Sequence, residues 1–281
     1  MTHSLVMSAH HLWVAATSDD GTFQPPTVDH EFNPPGIFAT LFGIDAGPFE
    51  MNRIIMVRII GVAIMMLLMW LAFRSPKLVP SRGQSVAEMA MDFVNDQIAV
   101  DVLGERLGRR YLPLLATIFF ATLAMNLTGL IPGLNIAGTS TIAMPLVMGL
   151  VAYVAFISAG IRELGGLKFL RSTLFPPGVP WPVYFLLTPI EAFSVFVMRP
   201  LSLALRLFLA MMVGHLLLVL CFTATHFLLF TAGGVAGLFG VVTFAGGLFM
   251  SLLELLVAVL QAYVFTLLTA TYIQQSVSEA H

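Results

Sequence analysis

The sequence is poor in charge, holds one cysteine, and lacks basic residues over long stretches. Lysine and arginine are absent from residues 1–50 and again beyond Arg206. Charged residues make up 10% of the 281, against roughly 25% in a soluble domain. A net charge of −2 with no basic tract gives no footprint for nucleic acid. The lone Cys221 excludes a disulfide framework and a cysteine-built metal site, and within its apolar run it reads as a small hydrophobe. No Gly-x-x-x-x-Gly-Lys-Ser/Thr loop cradles a nucleotide, and no His-Glu-x-x-His pair marks a metallohydrolase. What the chain has in abundance is apolar surface. Hydrophobic residues reach 58% and the mean hydropathy is +0.92, the composition of a polytopic membrane protein.

Residues 1–50 are acidic and turn-rich, with Asp19, Asp20, Asp29, Glu31 and the pairs Pro25-Pro26 and Pro34-Pro35. Without a basic n-region they do not read as a secretory signal, and an extracytoplasmic tail is expected. His10-His11 and His30-Glu31 repeat no ligand spacing and read as solvated. A first span is expected over 54–73, near the ~20 residues a bilayer core requires. Arg58, near one end, is expected to snorkel towards the headgroups. Arg74, Lys77 and Arg82 follow, a basic flank that reads as cytoplasmic.

Over 84–110 the chain is too polar to span yet carries Val86, Ala90, Phe93 and Val94 at helical spacing. A cytoplasmic amphipathic surface helix is expected there. Glu88, Asp92 and Asp96 share one of its faces, open to solvent or to a partner protein. Spans are expected over 111–131 and 141–161, then an overlong apolar run over 181–230 and another over 235–275, with 276–281 as a cytoplasmic tail. At 1.5 Å per residue the first of these long runs would reach about 75 Å as one helix, so it either turns midway or lies obliquely. The fold class is therefore all-α, with about five membrane helices plus one surface helix. No internal repeat is evident, which weighs against a transporter built from inverted halves.

An ionised side chain inside a span costs about 2.5–3.5 kcal/mol on insertion scales, so polar residues in the last two runs point to ion handling. Arg206 is the clearest, because arginine cannot shed its charge in a protein. Ser202, His215, Glu254, Gln261 and Glu191 accompany it. If the two runs pair antiparallel, Arg206 and Gln261 fall at one depth and His215 and Glu254 at another, within about 3 Å of the same register. Glu254 and Gln261 then share a face, while Arg206 and His215 point roughly opposite ways. A His–Glu couple serves equally as a packing ion pair or a proton relay, and the relay is the expectation. His226 is expected to be interfacial.

At these residues the chain resembles subunit a of the F-type ATP synthase. The likeness rests on Arg199-Pro-Leu-Ser-Leu-Ala-Leu-Arg206-Leu-Phe, on Gly214-His215, on Leu260-Gln-Ala-Tyr-Val-Phe265 and on Asn126-Leu-Thr-Gly-Leu-Ile-Pro132. It covers residues 50–275. It departs from the family in having Leu209-Ala210 where Gly-Asn is common, and in a Glu191-to-Arg206 interval one residue longer than usual. The resemblance implies that the last two helices are long and tilted. It implies a stator channel passing protons through two half-channels to and from carboxylates of a c-subunit ring, with Arg206 as the central residue and His215, Glu254, Gln261, Ser202 and Glu191 along the pathway. It further implies a peripheral-stalk b-type partner, a bacterial-type plasma membrane, no cofactor, and no nucleotide chemistry of the chain's own. A proton-coupled secondary transporter is the alternative that the intramembrane Arg, His and Glu alone leave open.

Overall fold

The computed structural model describes residues 53–74, 82–131, 137–174, 181–232, 234 and 236–278. The acidic tail with its histidines, Lys77, Pro176–Pro180 and residues 279–281 lie outside them. Every element among the described residues is helical. In order these are α1 (Arg53–Phe73), α2 (Arg82–Val94), α3 (Asp101–Leu127), α4 (Ala143–Leu164), α5 (Gly166–Leu174), α6 (Trp181–Phe193), α7 (Arg199–His226) and α8 (Ala236–Ser278). Among the described residues, five stretches are long and apolar enough to cross a membrane. They lie within α1, within α2–α3, in α4, within α6–α7 and in α8.

Several boundaries differ from those expected, each for a local reason. The surface segment does not run to residue 110. The chain turns at Gly104, whose φ of 75° suits a residue without Cβ, so Arg106, Arg109 and Arg110 belong to the base of α3. Arg110 there holds Glu163 at the end of α4 at 2.6 Å. The buried residues of α2, the first part of this surface arm, are Gln84, Ala87 and Val94, while Val86 and Met89 are 67% and 70% exposed, so α2 has a second apolar strip facing outward. Phe93 anchors it, its ring lying 6.1 Å from Phe119 and 5.7 Å from Tyr263.

Between α4 and α6 stands a short helix, α5, that the hydropathy pattern does not reveal. Its Phe169 packs on Gly160, where a Cβ would come within 2.4 Å of the ring. The 181–230 run is one helical path interrupted by π-helical turns at Ser194–Met198 and Phe227–Ala232. A further π-helical turn, Asn95–Val100, joins α2 to α3. α8 continues unbroken to Ser278, past the expected end at 275. At 43 residues it is about 64 Å long.

The core gathers on α3, α4 and the C-terminal half of α8, from Leu115, Phe119, Phe156, Ala262, Ala270 and Ile273. Polar residues enter it at little cost because their hydroxyls bond carbonyls of their own helix. Thr266 donates to Ala262 and Thr269 to Phe265, each at 2.8 Å.

Candidate functional site: an ionisable pair between α7 and α8

The hairpin of α7 and α8 has one antiparallel register along its length. The hydroxyls of Thr225 and Thr243 are 3.0 Å apart. Gly247 faces Cys221 and Phe222, and Gly240 faces Leu228 and Leu229. One helical repeat further along the same face of α8 comes Glu254, which lies on Gly214. Gly240, Gly247 and Glu254 are seven residues apart, which keeps them on the side turned to α7. The glycines allow the backbones to approach closely: a Cβ at Gly240 would stand 2.7 Å from Leu229 Cγ, and one at Gly247 would stand 3.2 Å from the Phe222 ring.

That register encloses His215 and Glu254 together. They are 2% and 4% exposed, and Glu254 lies against Gly214, the residue before His215. Neither oxygen of Glu254 accepts a hydrogen bond among the described residues. A carboxyl group kept from water beside a histidine is a couple in which a proton has two possible holders.

Arg206 stands apart from this couple. It is exposed, on one stripe of α7 with Leu209, Val213, Leu217 and Leu220, all of them exposed. Among the described residues of α6 to α8 it is the only exposed charge. The register carries Arg206 to the level of Ala262 and Tyr263, next to Gln261, which is half-buried. Ser202, one turn before Arg206, is half-buried and donates to the Arg199 carbonyl at 3.0 Å. Glu191 is half-buried on α6, beyond the π-helical turn. The structure thus brings His215 and Glu254 together, sets Gln261 and Ser202 near the level of Arg206, and leaves Glu191 further back on the same helical path, before the π-helical turn. Arg199 is anchored, its guanidinium 5.4 Å from the centre of the Tyr272 ring. His226, half-buried, has its ring 5.1 Å from Phe230 at the far end of α7.

The sequence pattern missed a buried polar cluster behind the couple. Asn126 is fully buried at the end of α3, and its Nδ2 donates to the Ala258 carbonyl at 3.2 Å, one turn along α8 from Glu254. Thr139 donates to Asn126 Oδ1 at 2.6 Å. Ala137, Met211 and Ala258 pack together beside them, so the turn after α3 touches both long helices. The polar amide of Asn126 at the end of a largely apolar span was the available signal. Arg58 also departs from expectation. Rather than simply snorkelling, it donates from Nε to the Gly138 carbonyl at 2.7 Å and from Nη2 to Thr141 Oγ1. No group of three or more His, Cys, Asp or Glu among the described residues converges as metal ligands.

These features define a polytopic helical membrane protein that encloses an ionisable couple between its two longest helices and presents an arginine on their open side. The chain belongs to the ATP synthase A chain family, whose model matches residues 54–274. It is similar to the ATP synthase subunit a of Rhodococcus erythropolis, at 44% identity over 252 residues, 90% of this chain and 90% of the relative. It is also similar to that of Frankia alni, at 36% over 261 residues covering 92% and 88%, and to that of Hyphomonas neptunium, at 39% over 225 residues covering 79% and 86%. Membership makes it a component of an ATP synthase that binds no nucleotide itself.

Proposed function

We propose that the chain is the proton-conducting stator channel of a rotary ATP synthase, seated in a bacterial-type plasma membrane with its N-terminus outside and its C-terminus in the cytoplasm. The observation that carries this reading is the separation of the two charged features on one hairpin: a buried His215–Glu254 couple, and Arg206 alone on an open apolar stripe. A buried couple can pass protons along a route closed to bulk water. An exposed arginine amid leucines needs a partner to cover it, and a ring of c subunits bearing intramembrane carboxylic acids fits that requirement. A carboxylic acid meeting Arg206 gives up its proton because the nearby cation favours the carboxylate.

In this reading the outer half-channel runs past His215 and Glu254. The inner one opens near Ser202 and Glu191, with Gln261 beside the arginine. The fixed charge of Arg206 blocks direct leakage between them, so a proton must travel with the ring to cross. Each proton falling through 100 mV supplies about 2.3 kcal/mol. The acidic stripe Glu88, Asp92 and Asp96 is the docking face for a peripheral-stalk b-type subunit. Arg206→Ala in the assembled complex, in inverted membrane vesicles, should abolish proton-driven ATP synthesis while the subunit remains assembled. Normal synthesis by that variant would refute the reading.

A further inference from the structure

Arg58 is a charged residue in an apolar helix, and the channel reading gives it no task. Its two hydrogen bonds reach about 80 positions along the chain, to the carbonyl of Gly138 and the hydroxyl of Thr141. Its stem is fitted to the same turn: a Cβ at Gly138 would lie 3.1 Å from Arg58 Cγ and 3.1 Å from Met125 Cβ. Between the two residues it grips lie Thr139 and Ser140, both fully buried. The Gly138 amide donates back to the Met125 carbonyl at 2.8 Å, closing the turn on the end of α3.

The order of donors and acceptors gives the grip a direction. Thr139 donates to Asn126 Oδ1, so the oxygen of that amide is occupied and its NH2 group is the one turned to α8. There it donates to the Ala258 carbonyl, four residues from Glu254. We propose that Arg58 is a positioning residue for the proton route: by holding the Gly138–Thr141 turn from α1, it keeps Thr139 on Asn126 and thereby fixes the Asn126 amide against α8 one turn from Glu254. A rigid, satisfied polar group at this point keeps the approach to Glu254 in one geometry. An amide free to flip would alternate donor and acceptor there. The inference rests on the proposed function, since it gives Glu254 a proton to receive.

The titratable and charged groups facing this link are Glu254 on α8 and His215 on α7, with Arg58 itself on α1. The end of α3 (residues 120–131) and the turn at 137–141 contribute none. The test is ATP synthesis by the assembled complex in proteoliposomes whose nucleotide-binding side faces the bath, so that the outer half-channel opens to the lumen, with the lumenal pH varied at fixed bath pH and fixed potential. Two quantities are read: the maximal rate and the lumenal proton concentration giving half of it. Arg58→Lys keeps the charge but loses the two-pronged geometry, and Thr141→Val keeps the arginine but removes one acceptor.

Each should raise the half-saturating proton concentration about threefold or more, the size expected of one lost hydrogen bond. Their double variant should do no more than the larger single one, because both break the same link. Gly138→Ala, which displaces the Arg58 stem and leaves its charge in place, should shift it in the same direction. Removal of a cation acting only through its charge would ease proton access instead. A lowered half-saturation in Arg58→Gln with no change in Arg58→Lys would therefore overturn the proposal, as would reduced maximal rates with half-saturation unchanged in all of these variants. Loss of synthesis in Arg206→Ala together with such a null result would leave the channel reading standing and remove only this inference.

Discussion

The two halves of α8 are built for opposite surroundings. From Ala258 to Ser276 it is embedded in the body: Ala258, Ala262, Phe265, Thr266, Thr269, Ala270, Ile273 and Ser276 are all buried. From Gly237 to Val257 it is covered on one side only, by α7 and the π-helical turn after it, and Leu238, Val242, Leu252 and Leu256 are each more than half exposed. Both halves are apolar, so hydropathy does not tell them apart. What separates them is residue size: small residues and threonines recur on the embedded half, where three helices converge, whereas the open half has glycines towards α7 and large aliphatics on its free side. Glu254 stands at the border. The embedded half fixes its position, and the open half offers the surface that a moving partner needs.

The sharpest way to break this arrangement is at the border. His215→Ala and Glu254→Ala should each reduce ATP-driven proton pumping by inverted vesicles by about tenfold or more, as expected when one member of a buried ionisable couple is removed. The exchange His215→Glu with Glu254→His restores both groups at the same depth and should recover part of that loss. Additive losses without recovery in the double-mutant cycle would mean that the residues act separately.

A smaller effect compares the two halves directly. Phe265→Ala, 2% exposed in the embedded half, should destabilise the chain by about 3–5 kcal/mol. Phe249→Ala, 57% exposed in the open half, should change stability by about 0.5 kcal/mol or less. Equal shifts in unfolding midpoint for the two, measured in detergent, would show that the open half is as tightly held as the other.

The smallest effect lies on the arm. Reversing Glu88, Asp92 and Asp96 to Lys should release the stalk subunit during a salt wash, with little change in the stability of the chain itself, since Asp92 and Asp96 are exposed. Unchanged subunit stoichiometry would return this face to solvent.

Much of the hairpin was legible in the sequence because polar residues are rare there. With two long apolar runs and few ionisable groups between them, matching Arg206 with Gln261 and His215 with Glu254 left little choice of register, and the Thr225–Thr243 and Gly247–Phe222 contacts follow that same register. The 84–110 segment was read less well. Its composition marks it as a surface element, but the place where it turns depends on a single glycine at φ 75°, and hydropathy does not register φ. Arg58 was misread for a different reason. A basic residue near a helix end looks the same whether it reaches for headgroups or for a turn 80 positions away, and only the three-dimensional path of the chain decides. Helix α5 was hidden because it is nine residues long beside spans more than twice its length, although Leu167, Leu170 and Leu174 recur in it at helical spacing.

The π-helical turn at Ser194–Met198 changes how the interval from Glu191 to Arg206 should be counted. A turn that closes from residue i to i+5 holds one residue more than an α-turn, and in an α-helix each residue adds about 100° of rotation. The wider turn absorbs that increment locally. Seen from Arg206, Glu191 therefore has the azimuth of a residue one step nearer in sequence. Deleting a single residue within 194–198 should relax the turn to α-helix and keep that azimuth, whereas the same deletion at 201–205 would swing Glu191 by a little over a quarter of a revolution.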